Sequence, residues 1–196
     1  MKPIFIGIAG GTGAGKSTLC AAVQDKYPDK IGLIMLDDYF KPSAEVPKLE
    51  GHINWDHPDA LYLDKLAKDL SQLAQGNSVI INTKNKRLNP AYNITDKRIP
   101  FEFQPKPIML VEGFLVLFDE RVRKFLTTSI WLDADHDTRW GRRVHFKYPE
   151  YEEKVLKSMH MQFVEPTKKY ADHVFDATRL TKKQVLEKVE KIIVKF

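Results

Sequence analysis

Eight residues near the start of the chain, Gly10-Gly11-Thr12-Gly13-Ala14-Gly15-Lys16-Ser17, fit the pattern G-x-x-x-x-G-K-[ST]. Glycines at this density let successive backbone N–H groups converge on phosphate oxygens. A helix opening at the same point adds the positive end of its dipole. The lysine of such a loop reaches the β- and γ-phosphates of a nucleoside triphosphate, and the hydroxyl after it ligates Mg²⁺. The stretch from Gly10 to Thr18 is therefore a candidate ATP site, with Lys16 also a candidate catalytic cation.

Two further acidic positions could take part in phosphoryl transfer. Glu112 follows the apolar run Ile108–Val111, where a carboxylate could hold Mg²⁺ or its water shell together with Ser17, or cap the next turn. Asp37-Asp38 follows Ile31–Leu36, and a carboxylate there could accept the proton of an attacking hydroxyl or act as a helix cap. Arg139, Arg142 and Arg143 fall at i, i+3 and i+4 and share a helix face, which suits a phosphate clamp as well as a solvated surface. A guanine signature N-K-x-D is missing: the nearest match, Asn85-Lys86-Arg87-Leu88, lacks the aspartate. A motor or helicase would carry an acidic pair where Glu112 stands alone. The pattern favours a small-molecule kinase.

These residues need a scaffold that gathers strand ends. Pro3–Ala9, Ile31–Leu36, Ile108–Val111 and Ser129–Leu132 read as buried strands, with Val79–Asn82, Phe101–Phe103 and Val174–Phe175 as shorter ones. Helices are expected over Ser17–Lys26, Pro58–Ala74, Asp119–Leu126, Asp137–Lys147, Tyr151–Val164 and Thr181–Lys195. Apolar strands alternating with helices predict an α/β fold, a P-loop NTPase-type parallel sheet with helices on both faces. In such a sheet ligands bind at the C-terminal strand edge, where the loop, Asp37 and Glu112 all fall. One domain is expected over 1–196, with a small inserted flap at about 83–100 and a helical lid at about 139–169.

Of the 196 residues, 31 are Lys or Arg and 26 are Asp or Glu. The three segments 1–60, 61–120 and 121–196 carry net charges of −2, +1 and +6, so the excess lies in the last third. It is assigned to the lid and to the solvated side of the closing helix. The rival explanation, a nucleic-acid-associated NTPase, lacks an RNA-binding motif. No apolar run reaches the roughly 20 residues of a membrane span. The single Cys20 permits no internal disulfide, which points to the cytoplasm. The six histidines show no metal-ligand spacing with Cys20 or each other.

The segments GIAGGTGAGKST, LDDYF, NWDHPDA, PAYN, LVEGF, DTRWGRRV and PTKKYAD together resemble the uridine kinase family of nucleoside kinases, in the family's order from Ile4 to about Phe175. The resemblance implies transfer of the γ-phosphate of ATP, with Mg²⁺, to the 5′-hydroxyl of a ribonucleoside. It implies Asp37 as catalytic base, Asp56 on the ribose hydroxyls, Tyr92 near the base, Arg143 on the lid and Glu112 as the metal-associated acid. Trp55 and Tyr39, beside these residues, are further candidates for touching substrate. Uridine kinases often assemble, so a homo-oligomer is also implied.

The chain departs from the family in two places. After the flap tyrosine the family has Tyr-Asp-Phe and then His-Ser-Arg; here Tyr92-Asn93-Ile94-Thr95-Asp96-Lys97-Arg98 lacks the histidine and replaces the aromatic by Ile94. In the lid, Arg142-Arg143-Val144 leads into His145-Phe146-Lys147 instead of an Arg-Asp pair, and the stretch before Pro166 is short. Asp37–Pro42 and Val111–Leu115 are similar to nicotinamide riboside kinases. That acceptor, a sugar phosphate and pantothenate stay open as alternatives.

Overall fold

A computed structural model describes residues 2–143 and 148–196. Strand β1 (Ile4–Ala9) runs through the glycine loop into helix α1 (Lys16–Lys26), and β2 (Ile31–Met35) follows. A small hairpin, β3 (Lys48–Leu49) and β4 (His52–Ile53), precedes α2 (Leu63–Ala74). A second antiparallel pair, β5 (Val79–Thr83) and β6 (Ile99–Phe103), encloses the one-turn helix α3 (Tyr92–Thr95). Then come β7 (Ile108–Glu112), α4 (Glu120–Arg123), β8 (Leu126–Asp133) and α5 (His136–Arg142). A helical run over 149–164 alternates α and π turns. Strand β9 (His173–Asp176) and the C-terminal helix Lys182–Ile193 close the chain.

The central sheet has five strands in the order β2-β7-β1-β8-β9, and every pairing is parallel. Period-two alternation sends neighbouring side chains to opposite layers. Ile6, Ile8, Ile108 and Leu110 meet Leu19, Cys20 and Val23 of α1 and Val185, Val189 and Ile192 of the C-terminal helix. Phe5, Met109 and Val111 meet Leu66, Leu70 and Leu73 of α2 on the other face. Strands β1, β2 and β7 are buried on both sides, which is why they read as unbroken apolar runs, whereas the edge strand β9 is partly exposed. No helix among the described residues is long and apolar enough to cross a membrane.

Three boundaries differ from the sequence expectation. The helix expected from Pro58 begins at Leu63: Pro58–Ala60 forms a 3-10 turn, and Leu61 is extended and bridges Phe40. Backbone bonds from Lys41 to Ala60 and from Tyr62 to Tyr39 tie this segment to the loop after β2, and a helix there would break them. The segment Asp119–Leu126 is helical only over Glu120–Arg123, because β8 already starts at Leu126. The expected helix Asp137–Lys147 is seen as His136–Arg142, capped by Asp135 accepting from the Thr138 N–H. Arg143 leaves the helix in extended backbone, and Val144, His145, Phe146 and Lys147 lie outside the described residues.

Candidate active site

Strand register builds the site. Glu112, the last residue of β7, lies opposite Ile8 of β1 and Met35 of β2. The exits of β1 and β2 are the glycine loop and the Leu36–Tyr39 turn, so the loop, Glu112 and Asp37 share one sheet edge. Gly10 and Gly13 take φ values of 134° and 87°, and a Cβ at Gly13 would stand 2.4 Å from the Arg139 carbonyl oxygen. Only glycine fits that backbone in that space.

Lys16 is buried and its Nζ donates to the Gly11 carbonyl at 3.1 Å. Burial lowers its proton affinity, and the nearby carboxylates Glu112 and Asp37 oppose the shift. The Ser17 hydroxyl donates to Glu112 Oε1 at 3.2 Å. Glu112 is only 5% exposed. Burial pushes its carboxyl up to about 7, with Lys16 pulling down and Asp37 pushing up. A buried carboxylate beside a hydroxyl at a phosphate loop is an oxygen donor pair short of positive charge, and this fits Mg²⁺. Arg139 is buried against the loop, and its Nε donates to the Ala134 carbonyl at 3.1 Å.

Two cavities flank this edge. A cavity of about 560 Å³ runs along Gly13–Leu19 between Ala22, Leu132, Ala177 and Leu186. Arg142, Lys182 and Lys183 also line it. The first two lysines of the closing helix therefore border a cavity, which corrects their assignment to a merely solvated face. The second cavity, about 1190 Å³, contains Asp37, Asp56, Trp55, Tyr92 and Arg143 of the expected substrate set, and Thr12 of the loop. Phe40 and Phe114 stack at 6.3 Å between centroids, and Trp55 meets Phe40 edge-on at 5.5 Å, giving an aromatic wall. A buried Nη1 of Arg143 has no hydrogen-bond partner among the described residues, and its guanidinium lies over the Trp140 ring.

Tyr39 does not belong to this set. It is 2% exposed in the α2-side core, and its hydroxyl donates to Asp69 at 2.9 Å, away from the cavity. The 3-10 turn Leu36–Tyr39 rotates successive side chains around its axis, sending Asp37 to the cleft and Tyr39 inward. Asp38 is structural: its carboxylate accepts from Thr83 Oγ1 at 2.7 Å and from the Lys84 N–H at 2.8 Å. Ile94 is 90% exposed and does not line the cavity.

Sequence reasoning passed over four residues of the cleft. Lys84 Nζ lies 2.9 Å from Asp37 Oδ2. The Arg98 guanidinium donates to the carbonyls of Asp37 and Asp38 at 2.9 and 2.7 Å. The Tyr151 hydroxyl donates to Asp56 Oδ2 at 2.8 Å and accepts from the Trp55 N–H. Burial raises the Asp56 carboxyl, and this hydrogen bond together with Arg143 holds it down. Phe114 is buried and also lines the cleft. Lys84 and Arg98 carried no signal beyond charge in a polar flap, and Tyr151 meets Asp56 across 95 residues of sequence.

A five-stranded parallel sheet, a phosphate loop between β1 and α1, and an acidic strand edge define a P-loop α/β kinase. Among solved structures, one described as a possible uridine kinase from Bacillus stearothermophilus shares the fold, with a TM-score of 0.62 at 18% identity over 90% of each chain. The chain belongs to the Phosphoribulokinase / Uridine kinase family, whose model matches residues 5–184. It is similar to a uridine kinase of Clostridium novyi (strain NT), 37% identical over 185 residues, 88% of this chain and 86% of the relative. A uridine kinase of Chloroflexus aggregans (strain MD-66 / DSM 9485) is 34% identical over 189 residues, 89% and 87% of the two chains.

Proposed function

We propose that this protein transfers the γ-phosphoryl group of ATP to the 5′-hydroxyl of a ribonucleoside. The observation that carries the reading is a pair of cavities on one sheet edge, one along the phosphate loop and lined by Lys16, the other walled by aromatics and lined by Asp37, with the buried Glu112 close enough to feel both charges. ATP lies along the first cavity with its phosphates on Gly10–Thr18. The nucleoside occupies the second, its base against Phe40, Trp55, Tyr92 and Phe114 and its ribose hydroxyls on Asp56. Tyr151 fixes the Asp56 carboxylate for that contact.

In the transfer, the 5′-oxygen forms a bond to the γ-phosphorus, and the bond to the ADP oxygen breaks. The hydroxyl proton passes to Asp37. Lys16 and the arginines Arg139 and Arg143 neutralise charge on the transferring group, which demands positioning more than covalent chemistry. Ser17 and Glu112 would hold Mg²⁺, which would supply positive charge against the phosphates during the transfer. The chain works as one kinase domain, with 83–100 as a flap over the acceptor and 139–169 as a lid over the phosphates. It acts in the cytoplasm on a small molecule, not on nucleic acid.

The outward-facing Ile94 and the absence of a flap histidine leave the base as the open term of specificity. A steady-state panel of uridine, cytidine, nicotinamide riboside, ribulose 5-phosphate and pantothenate with Mg·ATP tests the reading. The highest kcat/KM belongs to a ribonucleoside. Preference for the sugar phosphate or pantothenate, or ATPase activity stimulated by RNA, overturns it.

A further inference from the structure

We propose that Lys84 of the flap is a positioning residue for the phosphoryl transfer: its ammonium fixes the Asp37 carboxylate so that one oxygen stays aimed at the acceptor hydroxyl. The inference rests on Asp37 being the base of the reaction above.

Lys84 makes two separable contacts. Its backbone N–H donates to Asp38 Oδ1 at 2.8 Å, and its side-chain Nζ reaches Asp37 Oδ2 at 2.9 Å. The flap is already anchored without the side chain. Thr83 Oγ1 bonds Asp38 at 2.7 Å, and Arg98 grips the carbonyls of Asp37 and Asp38. The Lys84 and Asp37 side chains are 25% and 38% exposed, so solvent screens the pair and its contribution to stability is small. What the contact specifies is orientation. Asp37 Oδ2 is taken by Lys84, while Oδ1 has no hydrogen-bond partner among the described residues. Asp37 also feels the carboxylates Glu112 and Asp56 across the cleft, and like charges push a free carboxylate away from that position. The ammonium counters this repulsion and locks the side chain. A misplacement of about 1 Å in such a constellation costs on the order of 100-fold in rate.

The device makes acceptor chemistry depend on flap docking. Lys84 and the anchoring Thr83 and Arg98 come from the two ends of one insertion, so a displaced flap withdraws the ammonium from Asp37. The ATP cavity is lined by other elements and is untouched by this contact.

The test compares wild type, Lys84→Met, Lys84→Gln, Lys84→Arg, Asp37→Asn and the double variant Lys84→Met/Asp37→Asn. The acceptor is whichever of uridine, cytidine and nicotinamide riboside is turned over fastest. Lys84→Met and Lys84→Gln lower kcat about 100-fold, with the KM for ATP within about twofold of wild type. Lys84→Arg recovers at least a tenth of the wild-type rate, since it restores the cation. In the double variant the Lys84 change adds nothing beyond about threefold, because the carboxylate it positions is gone. Thermal midpoints of the single variants stay near wild type, since the backbone anchor to Asp38 survives. Near-normal kcat in both Lys84→Met and Lys84→Gln, with Asp37→Asn inactive, overturns the Lys84 assignment alone. So does an undiminished Lys84 effect on the Asp37→Asn background. Near-normal kcat in Asp37→Asn overturns the base assignment on which it rests.

Discussion

Replacing Glu112 by Gln removes a charge while keeping shape and a group able to accept from Ser17. In the folded chain burial holds the carboxyl at about 7, against 4.5 for the ordinary group. The folded state therefore keeps a proton that the unfolded state releases, and stability falls as pH rises through that window. A difference of about 2.5 pKa units at 1.36 kcal/mol each amounts to about 3 kcal/mol, fully expressed above pH 7 and absent below about 4.5. For a domain of this size that is roughly 6–12 °C in melting temperature. Without divalent metal, Glu112→Gln should match wild type near pH 4.5 and melt higher at pH 8. Mg²⁺ should raise the wild-type midpoint at pH 8 and leave the variant unmoved, while the variant loses kinase activity. Urea or thermal melts at several pH values, with EDTA or Mg²⁺, read this directly. A stability difference between the two proteins that does not vary with pH would refute the argument that an uncompensated buried carboxylate waits there for a cation.

Three further outcomes follow from the same geometry. Asp37→Asn lowers kcat by about 10²–10⁴ with the fold intact, and a near-normal rate measured with Mg·ATP and the best nucleoside removes Asp37 as base. Tyr151→Phe frees the Asp56 carboxylate and reduces kcat/KM for the nucleoside about 5- to 30-fold, while the KM for ATP holds; an equal change in both substrates places Tyr151 outside acceptor binding. Tyr39→Phe removes the bond to Asp69 and costs about 1 kcal/mol of stability in denaturant melts, with the acceptor KM unchanged; a raised KM restores Tyr39 to the substrate site.

Much of this site is legible one residue at a time because its chemistry is local. The phosphate loop needs glycines, a lysine and a hydroxyl at fixed spacing, and a strand and helix on either side, all within Ile4–Lys26. Apolar runs mark buried strands, and a carboxylate directly after Ile31–Leu36 and after Ile108–Val111 marks the ligand edge, so Asp37 and Glu112 could be named from sequence. What sequence could not settle is direction and partnership. Asp37, Asp38 and Tyr39 are consecutive in a tight turn, and only the packed turn sends one to the cleft, one to the flap and one to the core. Lys84 looked like any lysine in a polar loop until antiparallel pairing of β5 with β6 brought it to Asp37. Tyr151 meets Asp56 only because the 149–164 run folds back over the acceptor cavity. The sequence by itself determined the phosphate chemistry and the parallel sheet, since periodicity and backbone geometry act over a few residues. The tertiary structure alone decided which charges face one another, because that depends on contacts between segments distant in the chain.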